Sequence, residues 1–232
     1  MFEAIKKQIP NLLTLGNITC GVLAIIVSFG NDLESAAWLM VLATVFDFFD
    51  GFLARLLKVS GELGKQLDSL ADMVTFGVLP SILLFHYVVS TEAVMGWAGY
   101  SFLLLAVFSC YRLAKFNIDT RQSTSFIGVP TPITGLMCAS WAFIQSSHPE
   151  VFNMIFANTW AFVSFCIVIS LLLISEIPLP ALKFKKGIDK QQIMLIVVAV
   201  GSVIVFKWLA VPIIYCFYVL SSVIINFATS KK

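Results

Sequence analysis

The sequence has very little charge for its length. Only 12% of its 232 residues are charged, 59% are hydrophobic, and the mean hydropathy is +0.94. Soluble domains carry about 25% charged residues, and half that share cannot cover the surface of a water-soluble globule. The shortage excludes a soluble domain, and the wealth of apolar residues excludes a disordered chain. A net charge of +2 supplies no basic stripe for phosphates, so we expect no nucleic-acid partner.

Closely spaced cysteines are missing as well. The five cysteines stand singly in apolar segments with no CxxC pair, at Cys20, Cys110, Cys138, Cys166 and Cys216. This spacing indicates neither a disulfide framework nor a zinc site. We therefore expect five small, reduced core residues.

Long apolar runs are what the sequence has instead. A membrane-spanning helix needs about 20 apolar residues, and continuous runs favour helices over the alternating strands of a β-barrel. The predicted spans are Leu12–Gly30, Ala36–Leu57, Leu67–Val89, Val94–Ala114, Thr131–Ser147, Met154–Ser175, Gln191–Phe206 and Trp208–Phe227. The last two would form a helix of roughly 55 Å if unbroken, so we expect a turn between them. The predicted fold class is an all-α integral membrane protein with about eight transmembrane helices.

The basic residues predict how this bundle is oriented. Of the 15 lysines and arginines, 14 fall on one face of the predicted topology and only Lys207 falls on the other. The positive-inside bias then places both termini and the basic loops in the cytoplasm. We expect an amphipathic interfacial helix in residues 1–10 that ends at Pro10. A catalytic core of six helices in residues 11–176 and two C-terminal helices in residues 177–232 would follow.

Four aspartates lie within or at the edge of the second and third predicted membrane spans. Asp47 and Asp50 are three residues apart in the second span, and Asp68 and Asp72 are four apart in the third, so each pair shares a helix face. An ionised carboxylate at mid-bilayer costs on the order of 2.5–3.5 kcal/mol. Cations must therefore neutralise the cluster. With oxygen ligands and no histidine or cysteine nearby, Mg²⁺ or Mn²⁺ fits best.

Small residues and one cation accompany the carboxylates. Gly51, Ala54 and Gly64 lie on the aspartate faces, where they let a ligand approach the backbone, or let two helices pack tightly. Arg55 at the cytoplasmic mouth can pair with a phosphate, or can serve as an interfacial anchor. Together these residues predict a carboxylate–metal cradle for a diphosphate.

The pattern Asp47-x2-Asp50-Gly51-x2-Ala54-Arg55-x8-Gly64-x3-Asp68-x3-Asp72 resembles the complete signature of the CDP-alcohol phosphotransferases. The resemblance implies transfer of a phosphatidyl or similar group from a CDP-linked lipid to an alcohol, with release of CMP. It implies two metal ions shared by the four aspartates, Asp72 as general base, and a homodimer. Residues 9–14 also resemble the segment that touches the nucleotide in this family. The CDP-diacylglycerol-binding residues implied in this way are Asn11, Thr14, Gly51, Ala54, Arg55, Gly61 and Gly64.

Two further blocks, residues 111–117 and 126–132, resemble the branch of this family that transfers the phosphatidyl group to serine. Serine is a zwitterion whose carboxylate needs a cation and whose ammonium needs acceptors. The serine-binding residues predicted on this basis are Arg112, Lys115, Asn117 and Thr131. The alternative for the two basic residues is that they only mark a cytoplasmic helix end.

Other functions remain open from the sequence. Glycerol 3-phosphate or an inositol phosphate could replace serine as acceptor, with Arg112, Lys115 and Arg121 binding its phosphate. A cation or proton transporter is a different class, because intramembrane carboxylates often mark ion paths. The outer halves of the second and third spans offer only His86 as a titratable relay, which argues against a transporter.

Overall fold

The computed structural model describes residues 2–59, 61–91, 96–119, 126–179 and 190–229. Its helices are α1 (Phe2–Phe29), α2 (Leu33–Leu57), α3 (Glu62–Asp72), α4 (Leu79–Thr91), α5 (Leu103–Ile118), α6 (Thr131–Ser147), α7 (Pro149–Phe156), α8 (Thr159–Ile174), α9 (Lys190–Phe206) and α10 (Ala210–Thr229). A π-helical segment, Met73–Val78, joins α3 to α4, and a 3₁₀ segment, Gly96–Phe102, leads into α5. The all-α class is confirmed, apart from a ribbon of two short antiparallel strands, β1 (Phe126–Ile127) and β2 (Pro178–Leu179).

The predicted number of eight spans is not confirmed. Within the described residues, five helical stretches are long and apolar enough to cross a membrane, or six if the bent pair α7 and α8 is one span. Helices α6 and α8 have only 17 and 16 residues, and the fifth stretch, Val197–Asn226, combines the second half of α9 with α10. At about 1.5 Å per residue such helices fall short of a bilayer core of about 30 Å.

The first helix does not end at Pro10. Helix α1 continues through Pro10 to Phe29, so the predicted helix end at this residue is wrong. Proline removes one backbone donor but leaves its own carbonyl available. Whether residues 1–10 lie at the membrane interface stays a prediction.

Helices α1 and α2 form a hairpin. Asn31 in the connection has a φ of 64°, and the Asp32 carboxylate accepts a hydrogen bond from the backbone N–H of Ser35 at the start of α2. The hydrogen bonds from Ser35 lower the pKa of Asp32. Helix α2 ends at Leu57, as predicted, because Lys58 adopts a left-handed φ of 54°.

The third span lies at the centre of the bundle. It is continuous from Glu62 to Val89. In its apolar 18-residue segment 61% of the residues are buried, compared with 11–33% in the corresponding segments of the other four stretches. Glycines let two neighbouring helices approach it closely. A Cβ at Gly21 of α1 would lie 2.3 Å from the Thr75 hydroxyl, and one at Gly135 of α6 would lie 3.1 Å from the Phe76 backbone.

The predicted span Met154–Ser175 is two helices. Helices α7 and α8 meet at an angle of 83°. Asn158 lies at the bend and is the N-cap of α8. Its Oδ1 accepts hydrogen bonds from the backbone N–H groups of Trp160 and Ala161. The single helix predicted here is therefore wrong at its N-terminal end.

The break predicted between the last two apolar runs is present. Lys207 has a φ of 49°, and α9 and α10 contact one another across it. Next to the break, the Trp208 ring stacks on Phe143 of α6 at 4.0 Å between centroids.

The cysteines match their prediction only in part. Cys20, Cys138 and Cys166 are buried, whereas Cys110 and Cys216 are exposed. In a membrane protein an apolar segment also faces lipid, so apolar neighbours in sequence do not establish a core position.

Candidate active site

The four aspartates come from α2 and α3 and converge on one region. The backbones of these two helices make almost no direct contact. Helix α1 packs against both of them and leaves a gap between them. Carboxylate oxygens of Asp47, Asp50 and Asp68 lie within 4.8 Å of one another in this gap. Asp72 lines the same cavity as these three aspartates. The predicted convergence of the two aspartate pairs is therefore present.

Helix α1 supplies a donor that orients one of these carboxylates. The Thr14 hydroxyl donates a hydrogen bond to Asp50 Oδ2 at 2.5 Å, and both side chains are buried. Hydrogen bonds between a hydroxyl and a carboxylate are short and strong. The bond fixes which oxygen of Asp50 faces its acidic neighbours.

Asp72 is buried and shares the cavity with a cation. Among the described residues, its Oδ1 has no hydrogen-bond partner. Arg112 from α5 is also buried and lines the same cavity as Asp72. The Arg112 guanidinium donates to the Thr131 hydroxyl through Nη1 at 2.8 Å and lies 5.7 Å from the centre of the Phe116 ring.

The glycines of the signature have different surroundings. A Cβ at Gly64 would lie 3.3 Å from the side-chain oxygen of Asn11, so this glycine allows a close approach of α3 to α1. A Cβ at Gly51 would only touch the Arg55 guanidinium, at 3.6 Å. Among the described residues, Gly61 has no atom within 4 Å of such a Cβ. The packing explanation therefore applies to Gly64 and not to Gly51.

An open cavity of about 520 Å³ surrounds the carboxylates. All four aspartates line it, and so do all seven residues predicted to bind CDP-diacylglycerol: Asn11, Thr14, Gly51, Ala54, Arg55, Gly61 and Gly64. These residues come from α1, α2, the α2–α3 connection and α3. Residues that the signature relates only by their spacing in the sequence therefore line one cavity in the structure.

Of the four residues predicted to bind serine, only Arg112 lines this cavity. Thr131 lies behind it as the acceptor of its hydrogen bond. The ammonium group of Lys115 pairs with Glu176 at 3.2 Å. The Asn117 amide donates to the Ser69 hydroxyl at 2.9 Å. Lys115, Asn117 and Thr131 are therefore near the site without lining its cavity.

The donor set suits a hard divalent cation. Three carboxylates offer oxygens within 4.8 Å of one another, and Asp72 adds a buried oxygen that has no partner among the described residues. Carboxylate oxygens are the ligands that Mg²⁺ and Mn²⁺ prefer. The cluster could hold a metal ion.

Comparison with known proteins agrees with this arrangement. A family model described as CDP-alcohol phosphatidyltransferase matches residues 7–228. The chain belongs to this family. It is 33% identical to the CDP-diacylglycerol–serine O-phosphatidyltransferase of Helicobacter pylori over 180 residues, which cover 76% of this chain and 73% of the relative.

Two other relatives are similar. The CDP-diacylglycerol–serine O-phosphatidyltransferase of Bacillus subtilis is 36% identical over 137 residues, covering 59% of this chain and 76% of the relative. The archaetidylserine synthase of Methanothermobacter thermautotrophicus is 32% identical over 175 residues, covering 74% and 69%. Family membership and the apolar helices together identify a multi-pass membrane protein.

Sequence reasoning missed several residues of the cavity. Lys65 and Ser69 of α3 line it, and the Lys65 ammonium donates to the backbone carbonyl of Asn117 at 2.5 Å. A helical period would have found both, because they lie on the Asp68 and Asp72 face. Pro10, Leu113, Phe116, Pro130 and Pro132 also line the cavity, and they fall inside the segments that resemble the family although no role was predicted for them. Phe48 and Val59 line it as well, and these two side chains carry no local signal of a site.

Proposed function

We propose that this protein transfers the phosphatidyl group of CDP-diacylglycerol to the hydroxyl of L-serine, giving phosphatidylserine and CMP. The observation that carries the proposal is the set of four aspartates lining one cavity together with the remaining signature residues. Membership of the family supports the reaction type. The names of two bacterial relatives support serine as the acceptor.

In this proposal Asp47, Asp50, Asp68 and Asp72 hold divalent cations, Mg²⁺ or Mn²⁺, with two ions per site. When bound, such ions neutralise the diphosphate and stabilise CMP as the leaving group. The residues of α1 and the signature glycines lie beside the nucleotide. Arg55 at the rim of the cavity pairs with the diphosphate.

Asp72 is the proposed general base. Its buried, partnerless oxygen is free to accept a proton from the seryl hydroxyl. The hydroxyl oxygen forms a bond to the β-phosphorus as the bond from that phosphorus to the CMP oxygen breaks, and the electron pair leaves with CMP. Proton transfer accompanies the attack, because a carboxylate alone is a weak base for an alcohol.

Arg112 is the proposed anchor for the serine carboxylate. It lines the same cavity as Asp72, so one acceptor molecule can reach both groups. A guanidinium binds a carboxylate through two parallel hydrogen bonds. Thr131 holds the guanidinium in place by accepting its hydrogen bond. Asn117 and Lys115 lie outside the cavity lining, where they pair with Ser69 and Glu176. Arg121, predicted as a third cation for a phosphorylated acceptor, lies outside the described residues.

We also propose that the aspartate end of the bundle faces the cytoplasm. Arg55, Lys65, Arg112 and Lys115 lie at this end, as the positive-inside bias requires. The diacyl tails remain in the bilayer while the cytidine faces the cytoplasm. Residues 11–176 act as the catalytic core, and the protein works as a homodimer in the cytoplasmic membrane.

A labelled-acceptor assay tests the proposal. Membranes containing the protein are incubated with CDP-diacylglycerol, Mn²⁺ or Mg²⁺, and labelled serine, glycerol 3-phosphate or inositol phosphate. We expect labelled lipid and equimolar CMP with serine only, and none after chelation by EDTA. Labelled lipid from a phosphorylated acceptor would refute serine as the substrate. Metal-dependent cation flux without CMP release would instead indicate a transporter.

A further inference from the structure

The aspartate faces of α2 and α3 each continue into a basic residue that lines the cavity. On α3, Lys65, Asp68 and Asp72 follow one another at spacings of three and four residues, so they share one helix face. On α2, Arg55 follows the aspartates, and its guanidinium lies beside Gly51. Both basic residues are exposed and both line the cavity. Arg55 belongs to the family signature, whereas Lys65 does not.

A hydrogen bond holds the Lys65 ammonium at the edge of the cavity. Its Nζ donates to the backbone carbonyl of Asn117 at 2.5 Å, in the last turn of α5. The Asn117 amide in turn donates to the hydroxyl of Ser69, one turn further along α3, at 2.9 Å. These two bonds tie α3 to α5 beside the cavity. An ammonium group has three N–H donors, so the carbonyl takes one of them and leaves two for a ligand.

Lys65 lies nearer the surface than the reacting centre of the proposed function. At about 1.5 Å per residue, Asp68 lies about 4.5 Å and Asp72 about 10 Å further along the axis of α3. Asp72 and Arg112 are buried, whereas Lys65 is exposed. If the β-phosphorus of the donor reacts beside Asp72, the other phosphate, which leaves with CMP, lies on the Lys65 side of the cavity.

The charges of the site leave a place for a second basic residue. In the proposed function two divalent cations balance the four aspartates. A CDP-linked lipid then brings one negative charge on each of its two phosphates, and Arg55 balances only one of them. After the transfer, nearly two negative charges lie on the phosphate of CMP. Because unbalanced charge is costly at a membrane-embedded site, the leaving phosphate needs a cation besides Arg55.

We propose that Lys65 binds the phosphate that leaves with CMP. Its ammonium acts from α3 while the Arg55 guanidinium acts from α2, so that this phosphate is held between the two helices. The hydrogen bond to Asn117 keeps the ammonium at the edge of the cavity and lowers the cost of ordering it when the nucleotide binds. This inference rests on the proposed function, because it uses the orientation of the donor in the cavity.

The test uses Lys65→Gln, which removes the charge and keeps an N–H donor for the Asn117 carbonyl. Lys58→Gln is the matched control, because Lys58 is an exposed lysine at the end of α2 and is not among the residues that line the cavity. The affinity for CMP is measured by calorimetric titration of the purified full-length proteins in lipid–detergent micelles with Mg²⁺. The KM values for CDP-diacylglycerol and serine are measured in the same micelles.

Loss of a hydrogen bond to a charged group weakens binding by about tenfold or more. Lys65→Gln should therefore lower the affinity for CMP and raise the KM for CDP-diacylglycerol, each by about tenfold. The KM for serine should change by less than about twofold. Lys65→Arg, which retains the charge, should stay within about threefold of the parent protein, and Lys58→Gln should match it.

Unchanged CMP affinity in Lys65→Gln would overturn the inference, as would an equal loss in Lys58→Gln. Equal losses in Lys65→Gln and Lys65→Arg would also refute it, because the charge would then not matter. A KM for serine that rises as much as the CMP affinity falls would instead assign Lys65 only to the tie between α3 and α5. If the parent protein releases no CMP from CDP-diacylglycerol and serine, the proposed function fails; if it does and Lys65→Gln binds CMP normally, only this inference fails.

Discussion

Replacing Thr14 by valine should weaken metal binding without removing a metal ligand. Valine has nearly the same shape as threonine but cannot donate a hydrogen bond. In the structure the Thr14 hydroxyl donates to Asp50 Oδ2 at 2.5 Å, and both side chains are buried. Without this donor, the Asp50 carboxylate is free to rotate away from Asp47 and Asp68. We expect the variant to need a higher metal concentration.

The size of the effect follows from the type of bond. A hydrogen bond to a charged group contributes about 1.5–3 kcal/mol, which corresponds to roughly 10- to 150-fold in a binding constant. Loss of a residue that orients a metal ligand typically lowers metal affinity by about 10–100-fold. The Mg²⁺ concentration for half-maximal activity should therefore rise by about 10–100-fold, and kcat at saturating Mg²⁺ should fall by less than about threefold.

The assay is CMP release as a function of Mg²⁺ concentration. Thr19→Val is the control, because Thr19 lies on the same helix, is exposed, and donates only to the backbone carbonyl of Leu15 at 2.6 Å. It should leave the metal dependence unchanged. An equal shift in both variants would trace the effect to α1 itself. No shift in Thr14→Val would refute a role for Thr14 in orienting Asp50.

The remaining predictions concern the base and two glycines. Asp72→Asn should retain binding of CDP-diacylglycerol while kcat falls by about 10²–10⁴-fold, because the proton acceptor is lost; full turnover would remove Asp72 as base. Gly64→Ala should raise the KM for CDP-diacylglycerol, since its Cβ would crowd the Asn11 amide at 3.3 Å. Gly201→Ala on α9, outside the cavity and with no described atom within 4 Å of the added Cβ, should not, and equal effects would contradict this. Gly128→Ala should lower the thermal unfolding midpoint in detergent, because a φ of +75° alone costs a non-glycine residue about 1–3 kcal/mol, and an unchanged midpoint would contradict this.

Local patterns in the sequence predicted the parts of the fold that local forces determine. The bounds of α6, Thr131–Ser147, were predicted without error, because Pro132 and the polar residues at its end mark both limits. The end of α2 at Leu57 was predicted for a similar reason. The helix end predicted at Pro10 is wrong, because a proline can remain within a helix when only one hydrogen bond is lost. The bend at Asn158 was missed because the apolar run continues across it.

The site was predictable where helical periodicity determines it. Spacing alone brought Asp47, Asp50, Asp68 and Asp72 to common faces, and the structure adds the cavity between them. The partners of Lys115 could not be predicted, because Glu176 is 61 residues away in the chain. The contact of α10 with α6 is equally non-local, since no motif in an apolar helix records its neighbour.

Direct measurement of Mn²⁺ binding is the sharpest test of the account. The signal of free Mn²⁺ in electron paramagnetic resonance falls as the ion binds, so titration of the purified protein gives its affinity and stoichiometry. The account predicts saturable Mn²⁺ binding that Mg²⁺ displaces and that Asp68→Asn weakens at least about tenfold. Glu62→Gln, at an exposed position on the same helix, should bind like the parent protein. Equal Mn²⁺ binding by Asp68→Asn and the parent protein would contradict the claim that α2 and α3 jointly hold the metal.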